Sequence, residues 1–141
     1  MRDDRGSTLL LTIFYGFLAL VLVLLVSAAT SLYLERKRLF TLADGAALVG
    51  AEAFDLQAVT ITPGGARPIL DAEDVARAVT AYLAEAPRQG FDQLRVQRAD
   101  TVDGRSATVT LSARWSPPVV SLLVPEGIPI EVTALARSVF G

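Results

Sequence analysis

Apolar positions divide the chain into three patterns. Residues 9–34 are almost uniformly apolar and carry no charge. Residues 35–57 and 71–86 place apolar side chains three and four apart, which is the spacing of a helix face. From Leu94 onward apolar and polar residues alternate, as in strands with one solvated face.

The uncharged run sets the first constraint. A helix over residues 9–34 would be about 39 Å long, enough to cross a hydrocarbon core of about 30 Å with some tilt. Its polar members are Thr12, Ser27, Thr30 and Ser31, whose hydroxyls bond back to helix carbonyls. Tyr15 and Tyr33, near its ends, suit headgroup depth. Three readings compete: the core helix of a soluble domain, a secretory signal cut at Val26-Ser27-Ala28, and a retained single-span anchor. The run is too long for a small domain to enclose. It also exceeds the roughly 7–15 apolar residues of a signal. The retained anchor is therefore favoured. Arg2 and Arg5 on one side nearly balance Arg36, Lys37 and Arg38 on the other, so basic residues alone do not fix the orientation.

Beyond the run, residues 35–57 contain no proline and many alanines, which predicts that the helix continues. Gly45 is its weak point. Small residues four apart, Ala43 with Ala47 and Ala46 with Gly50, let two backbones approach closely. Leu39, Ala43, Ala46, Ala47, Gly50 and Ala53 form a candidate packing face. That face packs either on the chain's own domain or on another helix. Pro63-Gly64-Gly65 stops the helix inside a linker. Asp71 is a good N-cap, with Glu73 and Asp74 at the positive end of a helix dipole. Val75, Val79, Tyr82 and Leu83 supply an apolar stripe, and Pro87 and Gly90 end it. Leu94 and Val96, then Ala107 to Trp115, alternate on either side of Asp103-Gly104, which predicts an antiparallel hairpin. Ser116-Pro117 opens a short helical turn. Ile130, Val132, Ala134 and Ala136 form a last strand.

The resulting fold class is α+β: a long N-terminal transmembrane helix and its extension, a second helix, and a small, mostly antiparallel three-stranded sheet. The divisions are a short N-terminus over residues 1–8, a span over 9–34, a helix extension over 35–57, a linker over 58–70 and a small α+β head over 71–141. The second helix is expected to cover one face of the sheet.

Composition narrows the chemistry. The 141 residues include no Cys and no His, 52% are hydrophobic, 20% are charged, and the net charge is −2. Disulfide scaffolds, thiolate metal sites and the commonest general base are excluded. The near-neutral balance argues against nucleic acid. The glycines near Pro63 lack the Gly-Lys-Ser/Thr of a phosphate loop. Asp71, Glu73 and Asp74 read as a helix start, and Asp100 and Asp103 as a turn. Arg36, Lys37 and Arg38 read as an interfacial anchor, or as a site for anionic lipid or a partner's acidic residues. No catalytic constellation, metal site, cofactor site or small-molecule site emerges.

Two stretches then carry a resemblance. Arg5-Gly6-Ser7 opens straight into the apolar helix, and Arg36-Lys37-Arg38-Leu39 precedes Leu42-Ala43-Asp44-Gly45-Ala46-Ala47-Leu48-Val49-Gly50-Ala51. This resembles TadE/TadG-like proteins of tight-adherence (Flp-type) pilus systems, over residues 5–54. The resemblance implies a pilin-like or pseudopilin-like fold and a non-enzymatic role in pilus assembly. It implies a place in the cytoplasmic membrane, N-terminus in and head out, with lipid and other pilin-like or assembly proteins as hetero-oligomeric partners. It also implies a processing site between Gly6 and Ser7. The fifth residue after that cut is Leu11, where pilin-type relatives carry Glu, which suits a minor, capping or non-polymerising component.

Overall fold

The computed structural model describes residues 4–54, 60–63, 65–67, 69–86 and 90–137. In chain order the elements are α1 (Asp4–Ala51), β1 (Thr60–Thr62), β2 (Gly65–Arg67), α2 (Ala72–Glu85), β3 (Asp92–Thr101), β4 (Ser106–Trp115), α3 (Pro118–Ser121) and β5 (Ile128–Arg137).

Helix α1 runs unbroken for 48 residues, about 72 Å. Its threonines do not interrupt it, because Thr12, Thr30 and Thr41 each donate to the carbonyl four residues back, at 2.9, 2.9 and 3.0 Å. It passes straight through Gly45. It ends earlier than the sequence pattern predicts, at Ala51 rather than near Gln57; residues 55–57 lie outside the described residues. The last turn tightens there, as the Ala53 amide bonds the Gly50 carbonyl three residues back at 3.2 Å. Phe54 then packs against the core.

The sheet is antiparallel, in the order β3-β4-β5. Strand β4 is central, and Ala107, Val109, Leu111, Ala113 and Trp115 all point into the core. Ile130, Val132 and Ala134 of β5 join them. On β3 two bulges shift the alternation. Leu94 and Ala99 pack against the core, and Val96, opposite Leu111 on the same side, lines an open cleft beside α2 and stands half-exposed. Thr110 and Thr133 share a 3.0 Å hydroxyl contact on the opposite, polar face. Residues of the expected linker form the two-stranded β1-β2 hairpin, with Thr60 opposite Arg67.

The cover of the sheet differs from the sequence expectation. The second helix, α2, lies mainly over β3, while the C-terminal half of α1 lies over β4 and β5. Helix α2 starts as expected: Asp71 is extended (φ −98°, ψ 141°) and its carboxylate accepts the Glu73 amide at 2.8 Å. Val75 and Val79 of α2 are fully buried. The short α3 starts at Pro118, with Pro117 in the cap position and no side-chain cap bond, so Ser116 does not cap it.

Two close approaches hold α1 on the head. A Cβ on Gly50 would lie 3.2 Å from both Ala107 Cβ and Val75 Cγ1, so α1, α2 and β4 meet there. A Cβ on Gly45 would collide with the Tyr82 hydroxyl. The β3–β4 turn is held by Asp103, whose carboxylate accepts the Arg105 and Ser106 amides at 2.9 and 2.7 Å. Gly104 takes φ +65°. Its carbonyl accepts the Leu70 amide at 2.9 Å, tying the chain before α2 to this turn.

Substituting Gly50→Leu overfills this meeting point and should destabilise the full chain by about 1–3 kcal/mol. The same change at Gly16, which has open space around it, should leave thermal unfolding in detergent unchanged or slightly raised. The Arg105 amide, then that of Ser106, holds the Asp103 carboxyl below its ordinary value of 3.8. Its folded-state pKa is thus depressed, so the stabilisation is present above 3.8 and is lost as pH falls through the folded value. Asp103→Asn keeps an acceptor but cannot titrate. The stability gap between wild type and this variant should therefore shrink on acidification below the ordinary aspartate range, read by denaturant unfolding at a series of pH values.

Candidate functional site

The long helix carries two different surfaces. From Gly6 to Ser27 its side chains stand outside the head, and all but the partly covered Val21 are exposed. The most apolar 18-residue stretch of the helix is wholly unburied within the monomer. Leu10 is 71% exposed and Phe17 66%. The reading of this run as an enclosed core helix is therefore not what the structure shows. The helix is long and apolar enough to cross a membrane.

From Ala28 onward the same helix turns into part of the head. Ala28 and Leu32 pack against the core. Ser31 Oγ accepts a hydrogen bond from the Trp115 indole at 3.3 Å, across 84 positions of sequence. The head thus begins within the uncharged run, before its end at Leu34. Sequence reasoning missed Ala28, Ser31 and Leu32 as head residues. The available signal was the cluster Ser27-Ala28-Ala29-Thr30-Ser31, where small and hydroxyl side chains replace the large apolar ones.

The candidate packing residues are brought together on one side of α1. Leu39, Ala43, Ala46 and Ala47 have no exposed surface, Gly50 is buried and Ala53 is half-buried. Within this monomer they face the chain's own sheet and α2. The small side chains let the sheet approach the helix, so Val109, Leu111 and Val132 fill the space that larger helix residues would take.

Arg36, Lys37 and Arg38 lie on the exposed side of the helix. Arg38 sits 3.9 Å from the Glu35 carboxylate. Arg36 and Lys37, with Tyr33 and Phe40, line a shallow surface cleft against Glu131, Val132 and Thr133 of β5. The basic run thus flanks the head more than one turn above Ser31. Gly6 and Ser7 are exposed within the first turns of α1, and Gly6 has nothing within 4 Å of where a side chain would start.

Among the described residues no three His, Cys, Asp or Glu side chains gather as a metal ion would need. A cleft between α2 and β3 is lined by Leu42, Thr80, Leu83, Phe91, Leu94 and Val96 among others, with no titratable side chain among the described residues.

Fold and surface together define a class: a small α+β head fixed to the upper half of a continuous helix whose lower half is bare and apolar. Residues 6–53 match the family model for Flp pilus-assembly TadE/G-like proteins. The match covers the long helix and ends before the head's strands. No curated protein and no solved structure matches the chain.

The Ser31 contact is testable. Ser31→Ala leaves the mostly buried Trp115 indole without this partner and should cost about 1 kcal/mol. Ser27→Ala, on the exposed stretch, should change stability by less than about 0.5 kcal/mol. Thermal unfolding in detergent, followed by the emission of the single tryptophan, separates the two.

Proposed function

We propose that this chain is a single-pass membrane component of a tight-adherence (Flp, type IV-like) pilus or a related secretion apparatus. It acts without catalysis, as a minor pilin, pseudopilin or assembly factor, through helix–helix packing. The observation that carries this reading is the bare apolar half of α1, rigidly continuous with a head built on its other half. The family match over the same helix supports it.

In this reading residues 7–27 occupy the bilayer. Their length as a helix is about 31 Å, close to a hydrocarbon thickness of about 30 Å. Arg36, Lys37 and Arg38 then lie about 14–17 Å beyond Ser27 along the axis, over the headgroups on the outer side. The N-terminus faces the cytoplasm. Leaving lipid requires another apolar surface, at about 25 cal/mol per Å² of apolar area returned to water otherwise. Like helices supply that surface. The small-residue face of Leu39, Ala43, Ala46, Ala47, Gly50 and Ala53 seats the head on its own rod, and the bare stretch below it is left for neighbouring rods. Gly6-Ser7 is the processing position. With Leu11 in place of an acidic residue, the bare stretch carries no carboxylate to neutralise a neighbour's amine, which favours a minor over a major subunit.

Intact mass and N-terminal sequence of the membrane-extracted native protein test this. A start at Ser7 is the expected result for the pilin route. A start at Met1 overturns processing and leaves a plain anchor. A start near Ala29, with the protein in the soluble fraction, overturns the membrane reading.

A further inference from the structure

The connection between β4 and β5 has a composition that the head itself does not explain. Residues 116–125 read SPPVVSLLVP and contain no charge. Leu122 and Leu123 are 82% and 84% exposed, more than any large apolar side chain on the bare half of α1. Val119 and Val124 are each more than two-fifths exposed. Apolar side chains this exposed and this close together mark a contact surface.

Its place in the fold says which contact. Strands β4 and β5 close on it through the pair Trp115 and Ile128. Trp115 is bonded to Ser31, α3 touches α1, and Val120 and Ala28 both pack against the core. The tip therefore lies where α1 passes from covered by the head to bare. We propose that residues 116–125 form a second membrane contact, an apolar tip seated in the headgroup–acyl boundary beside α1. The occupant is the lipid surface itself. This rests on the reading that α1 spans the bilayer, and the apolar surface of the tip is continuous with that span.

The backbone is suited to the site. Groups entering an apolar layer must bring their hydrogen bonds with them. Pro117, Pro118 and Pro125 have no N–H to satisfy. The amides of Ser121, Leu123, Val124 and Gly127 are all bonded within the connection, at 2.7–3.0 Å. The Ser121 hydroxyl donates to the Pro118 carbonyl at 2.9 Å. At the base of the connection, Arg114 donates to the Glu126 carbonyl at 2.7 Å and pins it to the sheet. With the helix and the tip both in the boundary, the head has two attachments and a fixed tilt relative to the bilayer. A single helix would leave it free to rotate.

The chain has no cysteine, so single thiols report single positions. Full-length Phe14→Cys, Leu123→Cys and Val102→Cys variants, nitroxide-labelled and reconstituted into phosphatidylcholine–phosphatidylglycerol vesicles, are read by collision with oxygen and with a water-soluble nickel chelate. Val102 is 78% exposed but lies beyond the far end of β4. The expected result is a several-fold higher oxygen-to-nickel ratio at Leu123 than at Val102, approaching that at Phe14. A Leu123 label as accessible to nickel as Val102, with Phe14 still protected, overturns the tip contact and leaves the span intact. A Leu123 label shielded from both quenchers also overturns it, because protein then covers the tip. Nickel access at Phe14 overturns the span on which the proposal rests. Unchanged tryptophan emission confirms that each variant is folded.

Discussion

The structure depends on the contact between the small-residue side of α1 and the β4-β5 face of the sheet. Helices and sheets bury their apolar surfaces only by facing one another. A three-stranded sheet of this size needs such a partner to be stable. Helix α2 is too short and too far to one edge to be that partner. Ala43, Ala46, Ala47 and Gly50 keep the helix surface low, and Val109, Leu111 and Val132 stand tall against it. The contact joins the first third of the sequence to the last. The head therefore cannot complete its core without the rod.

One helix consequently serves two environments. Between Ala28 and Ala51 its apolar face is protein interior, and its outward side carries Arg36, Lys37, Arg38 and Asp44. Between Gly6 and Ser27 it has no charge and, Val21 apart, no cover. The changeover occurs within one continuous hydrogen-bonded helix, with no break between the bare half and the half built into the head.

Much of this was legible in the sequence because different residues signalled through different physics. The absence of charge over residues 9–34, the alanine spacing after Leu39, the cap at Asp71, the Asp103-Gly104 turn and the alternation through β4 and β5 all gave the correct element types. Three features were not legible. An entirely apolar run has no period, so lipid-facing and head-facing residues look alike; only Ser31 and its small neighbours marked the boundary. The bulges in β3 depend on backbone geometry, with Gln93 at φ 51°, and the one after Val96 brings Ala99, three residues on, to the same core side as Val96. The division of the sheet between two helices is a matter of tertiary packing, and periodicity shows only that each helix has an apolar face. The candidate packing residues were visible as a set. Their companions within the chain became visible only once the sheet was placed against them.

The most direct test of the shared core is residue-resolved amide hydrogen exchange on the full chain in lipid nanodiscs. The amides of α1 from Leu39 to Gly50 lie outside the proposed span, so lipid does not protect them. If this stretch is the second wall of the head's core, its amides exchange together with those of β4 and β5, with one opening free energy and one denaturant dependence. Exchange of Leu39 to Gly50 well ahead of β4, with the sheet still protected, would contradict the account.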